Sequence, residues 1–326
     1  MYKRFYGLRE LPFELTPNPK FLFLTPRHRE ALSNLHYGVS SGKPLTVLLG
    51  EAGTGKTTLL RTALESEECS HIRWISLNNP VLTREDFIRT LAARFGLGAQ
   101  AEESKTVFLD ELERVLRERR LSGETTALVV DEAQSLSNDL LEEIRLLANI
   151  ETSTDKLLLL ILAGQPEFAA RLNDPALRQS KQRVALRCAI GAFELAETAA
   201  YIASRITTAG GESARLFTRE AVQAIHEYSH GIPRTINVIC DNALLGGLAV
   251  GRQPVDSEIV FDVIADFDLA HRQAAGWTDD EADASARVPE SHEPSADSGR
   301  GEPPSRGLFE QIANPRRFAF FGTGRR

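Results

Sequence analysis

The residues best suited to chemistry lie in one run, Gly50-Glu51-Ala52-Gly53-Thr54-Gly55-Lys56-Thr57-Thr58. Gly50, Gly55, Lys56 and Thr57 satisfy G-x-x-x-x-G-K-[ST], the spacing of a phosphate-binding loop. Glycines let backbone N–H groups curl round a phosphate without Cβ clashes. In such a loop Lys56 reaches the β- and γ-phosphates, and the Thr57 hydroxyl holds Mg²⁺. A pair of acids, Asp131 and Glu132, closes the apolar run Ala127-Leu-Val-Val. At the C-terminal end of a strand, one acid can hold Mg²⁺ together with Thr57, and the next can orient or deprotonate an attacking water. Two adjacent acids distinguish an ATPase that activates water with a carboxylate from a switch GTPase. The guanine-reading sequence Asn-Lys-x-Asp does not occur in the chain.

Further side chains could complete such a site. Gln165, in Ala163-Gly164-Gln165-Pro166, could touch the γ-phosphate or the water, or it could simply close a Gly/Pro turn. Arg178, Arg183 and Arg187 surround a short β-prone segment. Any of them could serve as an arginine finger for a neighbouring subunit's nucleotide or stand as a surface arginine. Arg234 follows Gly231-Ile-Pro in the first turn of a helix, where a cation opposes the dipole. That cost points to an anion facing it, with a surface arginine in a Gly-Pro turn as the plainer reading. His226 and His230 have the i, i+4 spacing of metal ligands, but no third ligand accompanies them.

These residues need a frame. Leu45 to Leu49, Arg73 to Asn78, Ala127 to Glu132, Lys156 to Ala163 and Arg183 to Cys188 read as five strands, most of them continuous apolar runs. Helical patterns separate them: Thr58–Leu64, a helix capped by Thr83, Ser104–Arg120 and Leu140–Ile150. Alternating apolar strands and helices mean a parallel sheet built of βαβ units. After about residue 192 only helices follow, at 194–209, 218–230, 233–250 and 256–269, which reads as a separate small helical domain. The expected organisation is an N-terminal segment packed on the core (1–42), a nucleotide-binding core (43–191), the helical domain (192–270) and a disordered tail (271–326). The aromatic and basic stretch 307–326 reads either as a docking motif or as a frayed terminus.

Composition narrows the class. The 326 residues are 42% hydrophobic and 25% charged, as in a globular protein with a sizeable core. Net charge is −7; residues 277–306 carry −5 and 307–326 carry +3, which leaves −5 for the body. No general basic field therefore calls for nucleic acid or anionic lipid. Cys69, Cys188 and Cys240 stand far apart, so buried free thiols in a reducing compartment are expected rather than a disulfide frame or zinc site. No run approaches the length of a membrane span, and Met1-Tyr-Lys-Arg-Phe-Tyr-Gly lacks the apolar stretch of a signal peptide. The expected location is cytoplasmic, with room for peripheral attachment at the inner face of the membrane.

Taken in order, Gly-Glu-Ala-Gly-Thr-Gly-Lys-Thr-Thr, Val-Val-Asp-Glu-Ala-Gln, Gly-Gln-Pro-Glu, Leu-Arg-Gln-Ser-Lys-Gln-Arg-Val and Gly-Ile-Pro-Arg-Thr-Ile-Asn resemble AAA+ ATPases of the ExeA or general secretion pathway protein A type. The opening Tyr6-Gly7-Leu8, Pro12-Phe13, Thr16-Pro17-Asn18-Pro19 and His28-Arg-Glu-Ala-Leu is similar to that family as well, so the likeness spans about residues 1–265. It implies an α/β P-loop NTPase of AAA+ kind: an αβα sandwich on a parallel five-stranded sheet, with a small all-helical lid and ATP between them. It further implies Lys56 and Thr57 as Walker A, Asp131 and Glu132 as Walker B, Gln165 at sensor 1, Arg234 as sensor 2 and Arg183 at the arginine-finger position. Sensor 1 in the wider class is commonly Asn, Ser or Thr, so Gln165 departs from the pattern.

The resemblance points to the short, soluble form, some members of which accompany exopolysaccharide and exosortase systems. Neither a transmembrane helix nor a peptidoglycan-binding domain is expected after residue 265. The expected function is an ATP- and Mg²⁺-dependent ATPase that oligomerises on ATP binding. Its turnover would serve assembly of, or export by, a cell-envelope machine through protein partners. The alternative is a DNA-dependent ATPase of the transposition-regulator type, against which the body charge of −5 argues.

Overall fold

The computed structural model describes residues 2–16, 18–78 and 81–275. Expectations about the tail and the 307–326 stretch, and the Pro17 position of the opening motif, lie outside the described residues. Five strands, β1 Leu45–Leu49, β2 Ile72–Leu77, β3 Thr125–Val130, β4 Leu158–Gly164 and β5 Leu186–Ala189, form one sheet in the order β2-β3-β4-β1-β5. All pairs are parallel. The fifth strand begins three residues later than Arg183, so Arg183 stands outside the sheet.

The strand sequences explain the layering. Strand side chains alternate between faces with period two. Leu45, Val47 and Leu49 of β1, Leu128 and Val130 of β3, and Leu158, Leu160 and Leu162 of β4 share one apolar cluster. Their alternates, Leu48, Ala127, Val129, Leu159, Ile161 and Ala163, share another on the opposite face. Both faces are covered over β1, β3 and β4, which is why those strands are almost wholly apolar, while the edge strands β2 and β5 carry Arg73, Ser76 and Arg187.

The helices follow in chain order: α1 Tyr2–Phe5, α2 Pro26–Ser40, α3 Lys56–Leu64, α4 Arg84–Phe95, α5 Ala99–Glu103, α6 Lys105–Leu121, α7 Asn138–Leu147, α8 Pro166–Arg171 and α9 Arg178–Gln182. Residues of α2 and α3 pack on one face of the sheet, and those of α4, α6, α7 and α8 on the other. Thr83, Ser104 and Ser137 cap α4, α6 and α7 through their side-chain oxygens. The short helices α5, α8 and α9 carry no periodic pattern long enough to be read from sequence.

Four helices follow the sheet: α10 Leu195–Thr208, α11 Arg219–Ser229, α12 Pro233–Val250 and α13 Ser257–Ala275. They bury their apolar faces against one another in a third cluster. That cluster also contains Tyr2, Tyr6, Leu8, Phe13 and Phe21. The N-terminal segment is thus divided, contrary to the expectation that all of 1–42 packs on the nucleotide core. Its first two dozen residues belong to the helical lid, and only α2 belongs to the core. Among the described residues no helix is long and apolar enough to cross a membrane.

Candidate functional site: a phosphate loop at the core–lid junction

The loop 50–57 joins the C-terminal end of the fully buried β1 to the start of α3. Helix N-termini carry unpaired N–H groups and a positive dipole end, which suits an anion. Gly53 has φ +82°, and a Cβ there would sit 2.8 Å from Arg234 Cβ, so both conformation and space require glycine. The Lys56 amine is buried and donates to the carbonyls of Gly50 at 2.9 Å and Glu51 at 3.1 Å. Thr54 Oγ1 donates to the Glu51 carbonyl at 2.8 Å, which holds the bend of the loop.

Sheet order brings the second motif alongside. The ends of β3, β4 and β1 lie next to each other, with Val130 paired to Leu162 and Gly164 paired to Leu49. Thr57 Oγ1 donates to Asp131 Oδ2 at 2.5 Å. Asp131 is 7% exposed, so its charge is turned inward to this hydroxyl and to the Glu132 N–H, which donates to Oδ1 at 2.9 Å. Glu132 adopts φ 54°, ψ 41°, the left-handed region that a residue with a Cβ occupies at a cost. This bend turns its side chain off the strand path. Gln134 Nε2 donates to Glu132 Oε2 at 2.5 Å, and Gln165 Nε2 donates to the same oxygen at 3.5 Å.

A cavity of about 440 Å³ lies over the loop. Gly53 to Thr58 and Glu132 line it from the core, and Arg234 and Asn237 line it from the lid. The lid touches the loop directly: the Arg234 N–H donates to the Gly53 carbonyl at 3.3 Å. Gly231, with φ +71° and no room for a Cβ against the Phe193 carbonyl, sets the turn that aims α12 at the loop.

The N-terminal segment closes the third side. His28, buried in α2, meets the Thr54 carbonyl through Nε2 at 3.2 Å and Thr25 Oγ1 through Nδ1 at 2.7 Å. A carbonyl only accepts, so Nε2 carries the hydrogen and Nδ1 accepts from the Thr25 hydroxyl. Burial holds His28 below the usual imidazole range, partly opposed by the Thr54 hydrogen bond and the charge of Glu197. Across the cavity, Arg205 of α10 is buried, and among the described residues its charge is met without a carboxylate ion pair. Its guanidinium donates to the Pro12 carbonyl, to the Glu14 carbonyl at 3.4 Å and to the Tyr201 hydroxyl at 2.7 Å. The rings of Phe13, Phe21 and Tyr201 surround it.

The sequence-designated residues thus fall into two groups. Gly53, Thr54, Gly55, Lys56, Thr57, Thr58, Glu132 and Arg234 line one cavity, Asp131 is joined to it through Thr57, and Gly50, Glu51 and Ala52 begin the same loop off the cavity wall. Gln165 turns towards Glu132 rather than lining the cavity, and Arg183 stands away from its wall, as the residue following α9. Among the described residues no group of three or more His, Cys, Asp or Glu side chains that could hold a metal ion includes His226 and His230. His226 Nδ1 shares a hydrogen bond with Thr198, and His230 leaves the helix in a left-handed cap. The three cysteines are buried and free. Sequence reasoning gave no role to His28, Gln134, Arg205 or Asn237. Gln134 stood inside a quoted motif, but the partners of Arg205 are 191 and 193 positions away, and no local pattern could announce them.

Comparison with known proteins agrees with this geometry. A family model described as AAA domain matches residues 39–172. General secretion pathway protein A from Aeromonas hydrophila is 37% identical over 281 residues, 86% of this chain; the chain spans half (50%) of that relative's length. Among solved structures, Aeropyrum pernix ORC2 in ADPNP–ADP complexes superposes with TM-score 0.58 at 17% identity, over 78% of this chain and 71% of that one. Cdc6p from Pyrobaculum aerophilum superposes at 0.58 and 21% identity, over 75% of this chain and 67% of that one. Drosophila ORC bound to DNA gives 0.60 and 19%, over 78% and 64%. At such identities the structures speak for the fold alone. Sheet order and loop geometry agree with the AAA domain match on an AAA+ P-loop fold, and the chain is similar in sequence to general secretion pathway protein A.

Proposed function

We propose that the chain binds ATP with Mg²⁺ at this cavity and hydrolyses it. The observation that carries the reading is that Lys56, Thr57, Glu132 and Arg234 line one space at the junction of core and lid. Lys56 and the loop N–H groups hold the phosphates, and Arg234 senses the γ-phosphate from the lid. The Thr57 hydroxyl and the Asp131 carboxylate are hard oxygen donors, already 2.5 Å apart, and suit Mg²⁺. When bound, the ion neutralises charge developing on the phosphates. Glu132 accepts the proton of the attacking water or orients it, with Gln165 alongside.

Arg183, off the cavity wall, reads as a finger acting on the nucleotide of a second copy, which makes ATP-dependent assembly part of the proposal. Purified protein should turn over ATP only with Mg²⁺, and Glu132→Gln should lower turnover by at least about a hundredfold while retaining nucleotide. Turnover unchanged by Glu132→Gln would sink the reading. The same variant should assemble with ATP on a sizing column and revert without it.

The load is proposed to be a cell-envelope assembly or export machine, reached through protein partners. The kinship to general secretion pathway protein A supports this, together with a body charge of −5 that disfavours a broad nucleic-acid surface. Export or envelope polysaccharide unchanged by the Glu132→Gln protein in place of the wild type would sink that half alone.

A further inference from the structure

The loop after β3 contains a side chain with no role in the scheme above. Gln134 makes three hydrogen bonds through three different groups. Its Nε2 donates to Glu132 Oε2 at 2.5 Å, its Oε1 accepts from the Gln165 N–H at 3.1 Å, and its carbonyl accepts from Arg171 at 2.9 Å. Arg171 also donates to Asn138 Oδ1 at 2.7 Å, at the first residue of α7. The orientation of the Gln134 amide follows from its partners. A backbone N–H can only donate, so the oxygen must face Gln165, and the NH₂ group must then face the Glu132 carboxylate.

We infer that Gln134 is a positioning residue for Glu132, aiming its carboxylate into the cavity and tying that aim to the end of β4. The inference rests on the ATPase reading. Glu132 needs such a partner. Its left-handed backbone swings the side chain off the strand direction, and a carboxylate on a half-buried turn has several rotamers open to it. With Gln134 bonded to one oxygen, Glu132 still lines the cavity alongside Lys56, Thr57 and Arg234, so the contact directs the carboxylate towards the phosphates rather than away. The other end of Gln134 is fixed to Gln165, the residue between the last of β4 and the first of α8. A shift at the end of the central strand therefore reaches Glu132 through one amide.

Gln134→Met tests this, because it keeps the length of the side chain and removes both the donor and the acceptor. The expected result is a fall in kcat of about ten- to a hundredfold, with the Kd for a fluorescent ATP analogue within about twofold and an unchanged melting temperature. In the Glu132→Gln background the same substitution should lower single-turnover hydrolysis no further, since Gln134 acts through Glu132. Four outcomes overturn the inference: unchanged kcat, raised kcat (a restraint rather than an aim), loss of binding and melting temperature in parallel, or an additive loss in the double variant. Wild-type protein whose turnover is untouched by Glu132→Gln would instead remove the ATPase reading, and this inference with it.

Discussion

The two walls of the cavity are built differently. On the core side, the loop 50–57 and Asp131–Glu132 are local motifs carried on the ends of buried parallel strands whose pairing leaves little freedom. On the lid side, the wall is assembled from pieces remote in sequence: α10 and α12 with residues from the first two dozen of the chain. The core wall relies on apolar burial and backbone ladders. The lid wall adds to its own apolar cluster one buried arginine held by two carbonyls and surrounded by rings. A strand end can hold a phosphate loop at fixed distance from a metal-binding acid. The two walls meet at the Arg234–Gly53 hydrogen bond, the Arg27–Glu194 ion pair, the His28–Phe193 ring contact and the chain crossing near Phe193. In the proposed function, chemistry belongs to the core wall and sensing to the composite one.

Substitutions on the two walls should separate these roles. Lys56→Ala should have the largest effect, lowering ATP turnover by at least about a hundredfold with the fold retained by circular dichroism. An equal loss from a lid substitution that leaves nucleotide binding intact would break the division. Arg205→Ala should act on folding rather than chemistry. It strands the carbonyls of Pro12 and Glu14, and urea titration should show a loss of about 2–3 kcal/mol with early proteolysis of the N-terminal segment. If that segment stays protected, the lid wall does not depend on this arginine.

Gly53→Ala tests where the walls meet. A positive φ and a Cβ pressed against Arg234 should cost about 1–2 kcal/mol and raise KM for ATP several-fold, with the circular dichroism of the sheet unchanged. The smallest effect is on pH. Burial lowers the folded His28 below its ordinary 6.5, so the unfolded chain takes up the proton first. The contribution of His28 to stability is therefore complete above about pH 6.5. It is lost as pH falls from there to the lower folded value, by at most about 1.4 kcal/mol per pH unit. His28→Gln should flatten that part of a stability-against-pH curve, and an unchanged curve would remove His28 as the link between α2 and the loop.

Much of the core was legible because its signals are short-range. Strand runs, the G-x-x-x-x-G-K-T spacing, the capping residue Thr83 and the paired acids each occupy a few consecutive positions. Boundaries moved by one to three residues where hydrogen-bond pairing, not apolar content, ends a strand, as at Arg183 and Leu186. The short helices α5, α8 and α9 were missed because two turns or fewer give no period to read.

The sequence by itself determined the parallel α/β class, the phosphate loop, the two acids and the arginine that opens α12. Residue type and spacing decide those features within one element, so local chemistry suffices to find them. The tertiary structure alone decided that the first two dozen residues belong to the lid, that Arg205 is held by carbonyls on that segment, that His28 reaches Thr54, and that Gln134 lies between Glu132 and Gln165. Each of those contacts depends on the relative placement of separate elements. That placement is set by burial of whole faces, and no stretch of sequence carries it alone.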